Sequence, residues 1–152
     1  MCPLDLGVVH AAEAGSPFHA TLGAKVVAID HRSATLTLDC PEGLRNHLGG
    51  PHAGALFGLA ETAAASVLLA VFDDLVTKGV LPVIKAAEIR YKAIAIGVVT
   101  ALATFAGDEQ QVRDEVAEQG RSAFPVDVVV TDAHGTVTTV MRAEMVLKKI
   151  GG

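Results

Sequence analysis

From Ala53 to Phe72 the chain is apolar or small at almost every position. The run is too long for one strand and predicts a helix buried on most sides. Gly49, Gly50 and Pro51 introduce it, and Asp73 and Asp74 close it. Elsewhere the pattern has a period of two. Residues 24–29 read as a strand, and 31 and its neighbours as a turn. Residues 33–40 alternate, with Ala34, Leu36, Leu38 and Cys40 on one face and Thr35, Thr37 and Asp39 on the other, the signature of a half-buried strand. The segment 75–82 is a connector broken at Gly79 and Pro82. Residues 83–94 then alternate again, setting Ala87, Ile89, Tyr91 and Ala93 against Glu88, Arg90 and Lys92. Further strands are predicted over 98–106, 124–131 and 136–148, the last two joined by a turn at 132–135. Residues 108–119 return to helical spacing: Asp108 with Gln111 resembles a capping box, Val112 and Val116 share a face, and Gly120 is placed as a stop. Residues 4–15 predict a short helix ending at Gly15, after which Pro17 breaks the chain.

The order is thus two strands, a long apolar helix and four strands. A helix this apolar needs cover on most sides, and a curved antiparallel sheet wrapped around it supplies that cover. The expectation is one α+β domain over residues 1–152. The helix surface and sheet edges left open predict a partner subunit.

Composition raises one competing reading. Hydrophobic residues make up 51% of the chain and the mean hydropathy is +0.44, which suits either a membrane span or a large buried surface with a subunit interface. The long helix is the only candidate span. Glu61 near its middle is costly in lipid, neither flank carries a one-sided Lys/Arg cluster, and the alternating strands require a folded sheet. The reading is a soluble oligomer with no membrane partner. A formal charge of −5 without a basic block argues against nucleic acid. Cys2 and Cys40 form neither a metal-type cluster nor a disulfide scaffold. The first residues lack a basic n-region and carry Asp5 and Glu13, unlike a signal peptide. The expected compartment is the cytoplasm.

The candidate chemistry centres on Glu61, since a carboxylate is rarely buried without a partner or a task. Its helical face carries Gly54, Phe57, Gly58, Ala64, Ala65 and Leu68, small enough in places for something to lie close to the backbone. The helix start, near Ala53 and Gly54, presents unpaired N–H groups and the positive end of the dipole. A carboxylate, N–H donors and a cleared surface together suit acyl transfer. The alternative is a close-packed helix crossing with Glu61 bonded to a neighbour. His47, His52 and Glu61 lack the spacing of metal ligands on one helical turn, so no metal is expected. His10, His19, His31 and His134 read as surface residues. Ser66 has no nucleophile elbow around it.

Asn46, His52-Ala53-Gly54 and Glu61 hold the spacing of a pattern found in the hotdog-fold acyl-CoA thioesterases of the phenylacetate-pathway type: an Asn, a His-Gly-Gly at the helix start, and an acid nine residues after the His. The sequence resembles that family from about residue 20 to 148. The resemblance implies a hotdog fold, an acyl-CoA or acyl-carrier thioester as substrate, no cofactor, and a homodimer or homotetramer with its site at the subunit interface. It implies Glu61 as general base or nucleophile, the Ala53 N–H on the thioester carbonyl, Asn46 orienting water or the carboxylate, and His52 shaping the loop. Arg121 and Ser122 stand where relatives meet the coenzyme A arm. Two positions differ from the pattern: Ala53 replaces its first glycine, and Glu61 replaces the more usual Asp. A hydroxyacyl-thioester dehydratase of the same fold, which pairs a His with an acid fourteen residues on as His47 and Glu61 are spaced, is the rival enzyme. A non-catalytic acyl-thioester binder is the rival from another class.

Overall fold

The computed structural model describes residues 16–151. Its elements run α1 (Pro17–Leu22), β1 (Lys25–Ile29), β2 (Ser33–Leu38), a 3-10 turn (Glu42–Leu44), α2 (Ala53–Val76), β3 (Val80–Tyr91), β4 (Val99–Phe105), α3 (Glu109–Gln119), β5 (Arg121–Thr131) and β6 (Val137–Lys149). The strands form one six-stranded sheet in the order β1-β2-β4-β5-β6-β3, antiparallel at every pairing. The long helix packs on one face of it, so the expected α+β architecture is what the chain adopts.

The alternating pattern explains which face is covered. Leu36 and Leu38 of β2, Ala101 and Ala103 of β4, and Val126, Val128 and Val130 of β5 are buried with Leu59, Ala63, Val67 and Leu68 of α2. Between β2 and β4, Ala34 stands opposite Ala103, and Leu36 opposite Ala101. By length and composition α2 could cross a membrane, but 78% of its most apolar 18-residue window is buried inside the fold. Its apolar character belongs to the core of the sheet.

The long helix does not end at Asp73 and Asp74 as expected but bends at Phe72 and runs on to Val76. Phe72 leaves helical geometry (φ −124°, ψ 24°), and the chain continues as helix only to Val76. The Phe72 ring meets Phe105 and Phe124 at centroid distances of 5.5 and 5.4 Å. This aromatic cluster closes the core where the helix bends. Arg113 of α3 lies over Phe72, donates to the Val71 carbonyl at 2.9 Å and pairs with Asp74 and Glu109. Helix α3 is the amphipathic surface helix expected. The Asp108 carboxylate accepts from the Gln111 N–H at 3.0 Å, Val112 and Val116 are buried, and Gly120 ends it with a left-handed φ of 78°.

Four expectations need correction. Pro17 does not break the chain but opens α1, because a residue in the first turn of a helix has no use for its N–H. The helix expected over 4–15 lies outside the described residues. Strand β3 begins at Val80 and runs through Pro82 to Tyr91, not from 83 to 94. Among the described residues it pairs only with β6, and an edge strand tolerates a residue without a ladder donor. A bulge between Ile84 and Ala86 shifts its inward positions from Pro82 and Ile84 to Ile89, since one extra residue reverses the phase of a strand. Strand β5 starts at Arg121 rather than 124, and β2 stops at Leu38, leaving Cys40 beyond its end.

Candidate functional site

The loop from Asn46 to Pro51 is built around one side chain. Asn46 Oδ1 accepts from the Leu48 and Gly50 N–H groups at 2.9 and 3.3 Å, and Asn46 Nδ2 donates to the Pro51 carbonyl at 3.4 Å. Its backbone closes the same loop, with Asn46 N–H on the Gly50 carbonyl at 2.8 Å. This is the short-range self-bonding for which Asn is favoured in turns. Gly50 is held to glycine by space: a Cβ there stands 2.7 Å from the Ala95 carbonyl oxygen. The loop is thereby clamped against the chain that follows β3.

His52 then caps α2. Its Nδ1 accepts from the Gly54 N–H at 2.9 Å, and its own N–H donates to the Leu44 carbonyl. Ala53 follows as the first residue of the helix. Its N–H has no hydrogen-bond partner among the described residues, as expected for a first-turn donor. The Ala53 carbonyl accepts from the Tyr91 hydroxyl at 3.1 Å, so the end of β3 is tied to the start of α2. Burial pushes the Tyr91 phenol above its ordinary pKa. Asn46, Ala53, Leu56, Tyr91, Lys92 and Ile94 line a surface cavity of about 360 Å³ beside the helix start. A second cavity of about 510 Å³ lies across the loop, against Cys40, Arg45, Gly50 and Gly97.

Glu61 is further along the same helix. At about 1.5 Å per residue its backbone stands about 12 Å from Ala53 along the axis. Within one chain the carboxylate and the Ala53 N–H therefore do not converge on one atom. The Glu61 side chain is 26% exposed, and its Oε2 lies 3.5 Å from His19 Nε2 of α1. The cleared surface around Gly58 is occupied by that same helix: a Cβ on Gly58 stands 3.1 Å from the Phe18 ring and 3.4 Å from Leu22. His19 is thus not the surface residue expected. His31 is not solitary either, since its Nε2 lies 2.9 Å from Glu109 Oε2. His134 is exposed, and His10 lies outside the described residues.

The remaining sequence candidates are dispersed. His47 is exposed in the loop. Arg121 is exposed at the start of β5. Ser122 is buried and donates to Glu115 Oε2 at 2.6 Å. That bond and another from Gln111 hold the Glu115 carboxyl below its ordinary pKa.

Sequence reasoning did not single out His19 or Tyr91 as site residues. Ser16-Pro17 carries the signal of a helix start that places His19 on α1, but no spacing rule joins it to Glu61. Tyr91 sits on a strand the alternation does find, yet its reach to Ala53 depends on how β3 ends.

A long helix covered on one side by a six-stranded antiparallel sheet, with a Gly-Gly-Pro loop at the helix start, is the hotdog fold. Solved structures similar to this chain share it. One is a Pseudomonas aeruginosa protein of unknown function described as "Probable Thioesterase", 26% identical, with a TM-score of 0.82 over 96% of this chain and 97% of that one. Another is the PaaI protein of the E. coli phenylacetic acid degradation operon, 21% identical, with a TM-score of 0.71 over 94% and 91% of the two chains. A third is a mutant of a Pseudomonas aeruginosa thioesterase, 22% identical, with a TM-score of 0.74 over 95% and 94%. The chain itself belongs to the family described as Domain of unknown function (DUF4442), which it matches over residues 8–147. No protein with a curated description matches it.

Proposed function

We propose that this chain is an acyl-CoA thioesterase of the cytoplasm that works as a homodimer or a dimer of dimers. The observation that carries the reading is the unpartnered Ala53 N–H at the positive end of a 24-residue helix, on the wall of a cavity large enough for the reacting part of a thioester. Negative charge develops on the carbonyl oxygen as water adds, and a fixed N–H donor at a helix start favours that charge. Ala53 polarises the carbonyl directly. Gly54, whose N–H is bonded to His52, supports it through the dipole. His52 holds the cap in shape.

Glu61 takes the proton from water, the oxygen adds to the carbonyl carbon, the carbon–sulfur bond breaks, and the leaving thiolate is protonated to free coenzyme A. Asn46 lines the cavity, and its long 3.4 Å bond to Pro51 leaves it the group best able to turn to the water. The separation of about 12 Å between Ala53 and Glu61 along one helix calls for a second copy, whose Glu61 meets the first copy's helix start. The edge of β3 that is unpaired among the described residues, with Leu81 and Val83 exposed, suits such a partner. Arg121 is the exposed cation that suits the phosphates of the coenzyme, since the Ser122 hydroxyl is occupied by Glu115.

Thiol release over a panel of short, long and aromatic acyl-CoA thioesters tests the reading. Free thiol from at least one of them is expected. Water loss from a 3-hydroxyacyl-CoA without thiol release replaces hydrolysis by dehydration. Binding without turnover across the panel makes the chain a thioester binder.

A further inference from the structure

Helix α1 reaches Glu61 through one side chain whose own bonding is incomplete. It docks on α2 where Gly58 leaves no side chain in the way, with the Phe18 ring and Leu22 against that glycine. His19 lies on the same short helix, 20% exposed, with Nε2 3.5 Å from Glu61 Oε2. Its other ring nitrogen, Nδ1, is buried and has no hydrogen-bond partner among the described residues. A buried polar atom left without a partner is rare enough to need a reason. Packing alone would be served by an apolar residue in its place.

We propose that His19 is a positioning residue for Glu61. This rests on the thioesterase reading above and deepens it. Nε2 is the ring nitrogen that faces Glu61 Oε2, and Nδ1 is the one left buried on the other side of the ring. With Oε2 turned to His19, Oε1 is the oxygen presented to the water. The Glu61 side chain has one more rotatable bond than the Asp usual at this point of the motif, so its carboxylate has more orientations to choose among. A ring donor from α1 removes that freedom. Among the described residues Glu61 is the ionisable group within ion-pair distance of His19.

The test compares wild type with His19→Ala, His19→Gln and Glu61→Gln, using thiol release from whichever acyl-CoA the wild type hydrolyses. Misplacing a reacting group by about 1 Å costs up to roughly 100-fold. His19→Ala is expected to lower kcat by about 10- to 100-fold with KM changed less than about threefold. His19→Gln retains an N–H donor and is expected to recover part of kcat. Circular dichroism and a melting curve check that each variant folds. Should His19→Ala lose its fold, the Gln variant and the ring's own NMR signals decide. Those signals are followed in the full chain at one pH, where Glu61→Gln is expected to shift them. A folded His19→Ala within twofold of wild type, or His19 ring signals blind to Glu61→Gln, overturns the positioning role while leaving the thioesterase reading intact. A wild type that releases no thiol from any substrate overturns both.

Discussion

The hydroxyl of Tyr91 donates to the carbonyl of Ala53 at 3.1 Å. The bond joins the last residue of β3 to the first residue of α2, a residue that lines the cavity. A net hydrogen bond contributes about 0.5–1.5 kcal/mol, and the half-exposed ring puts this one at the low end. Tyr91→Phe is therefore expected to lower the melting temperature slightly and to lower thiol release severalfold, because the helix start loses an anchor. Unchanged turnover in the Phe variant would mean that the loop alone holds Ala53 in place.

Glu61→Gln keeps the shape of the side chain and removes the base. Acid–base groups contribute roughly 10²–10⁴-fold, so a loss of at least about 100-fold in kcat is expected, with the melting temperature close to wild type. Near-normal turnover would make Glu61 a structural acid.

Gly50→Ala tests the clamp between the loop and the chain after β3. Its Cβ meets a backbone oxygen at 2.7 Å, and backbone cannot swing aside as a side chain can. Overpacking of this kind costs about 1–3 kcal/mol, read as a lower denaturation midpoint. A midpoint equal to wild type would show that residues near Ala95 move freely.

The far end of the core responds to acid. Burial raises the pKa of Asp74, but the hydrogen bonds and charge of Arg113 outweigh it and hold the carboxyl below its ordinary value. A carboxyl depressed in the folded state adds stability above its unfolded pKa, and that stability is lost as pH falls through the folded value. The affected window lies below about pH 4. Arg113→Met is expected to lower the melting temperature at pH 7, and the gap to wild type should narrow towards pH 2.5. A gap independent of pH would assign the role of Arg113 to its stacking on Phe72 and its bond to Val71.

Assembly is the simplest requirement of a shared site. Obligate interfaces of this kind bury more than roughly 2,000 Å², and light scattering at low micromolar concentration is expected to report at least a dimer. A stable monomer that still released thiol would falsify the arrangement in which two copies supply Glu61 and Ala53.

The amino-acid sequence determined the features that depend on neighbours along the chain. The apolar run from Ala53 predicts α2 as far as Phe72, because a buried helix shows as a run too long for a strand; its bend there and its last turn to Val76 were not predicted. The alternation in 33–40 predicts a strand with one covered face, because successive side chains point to opposite sides, and the Val- and Thr-rich run 98–106 predicts another. Asp108 and Gly120 mark the ends of α3, because caps satisfy backbone groups within a few residues. The Asn46, His52 and Glu61 spacing pointed to the helix start before any fold was known. Tertiary structure decided the rest. The strand order places β3 at an open edge, where Pro82 fits and a bulge near Lys85 changes which side chains face inward. The docking of α1 on Gly58 brings His19 to Glu61, and the end of β3 brings Tyr91 to Ala53. Both pairings join residues 38 or more positions apart, and no local periodicity encodes them. They follow from the shape of the packed core, which sets where each element ends and which neighbour it meets.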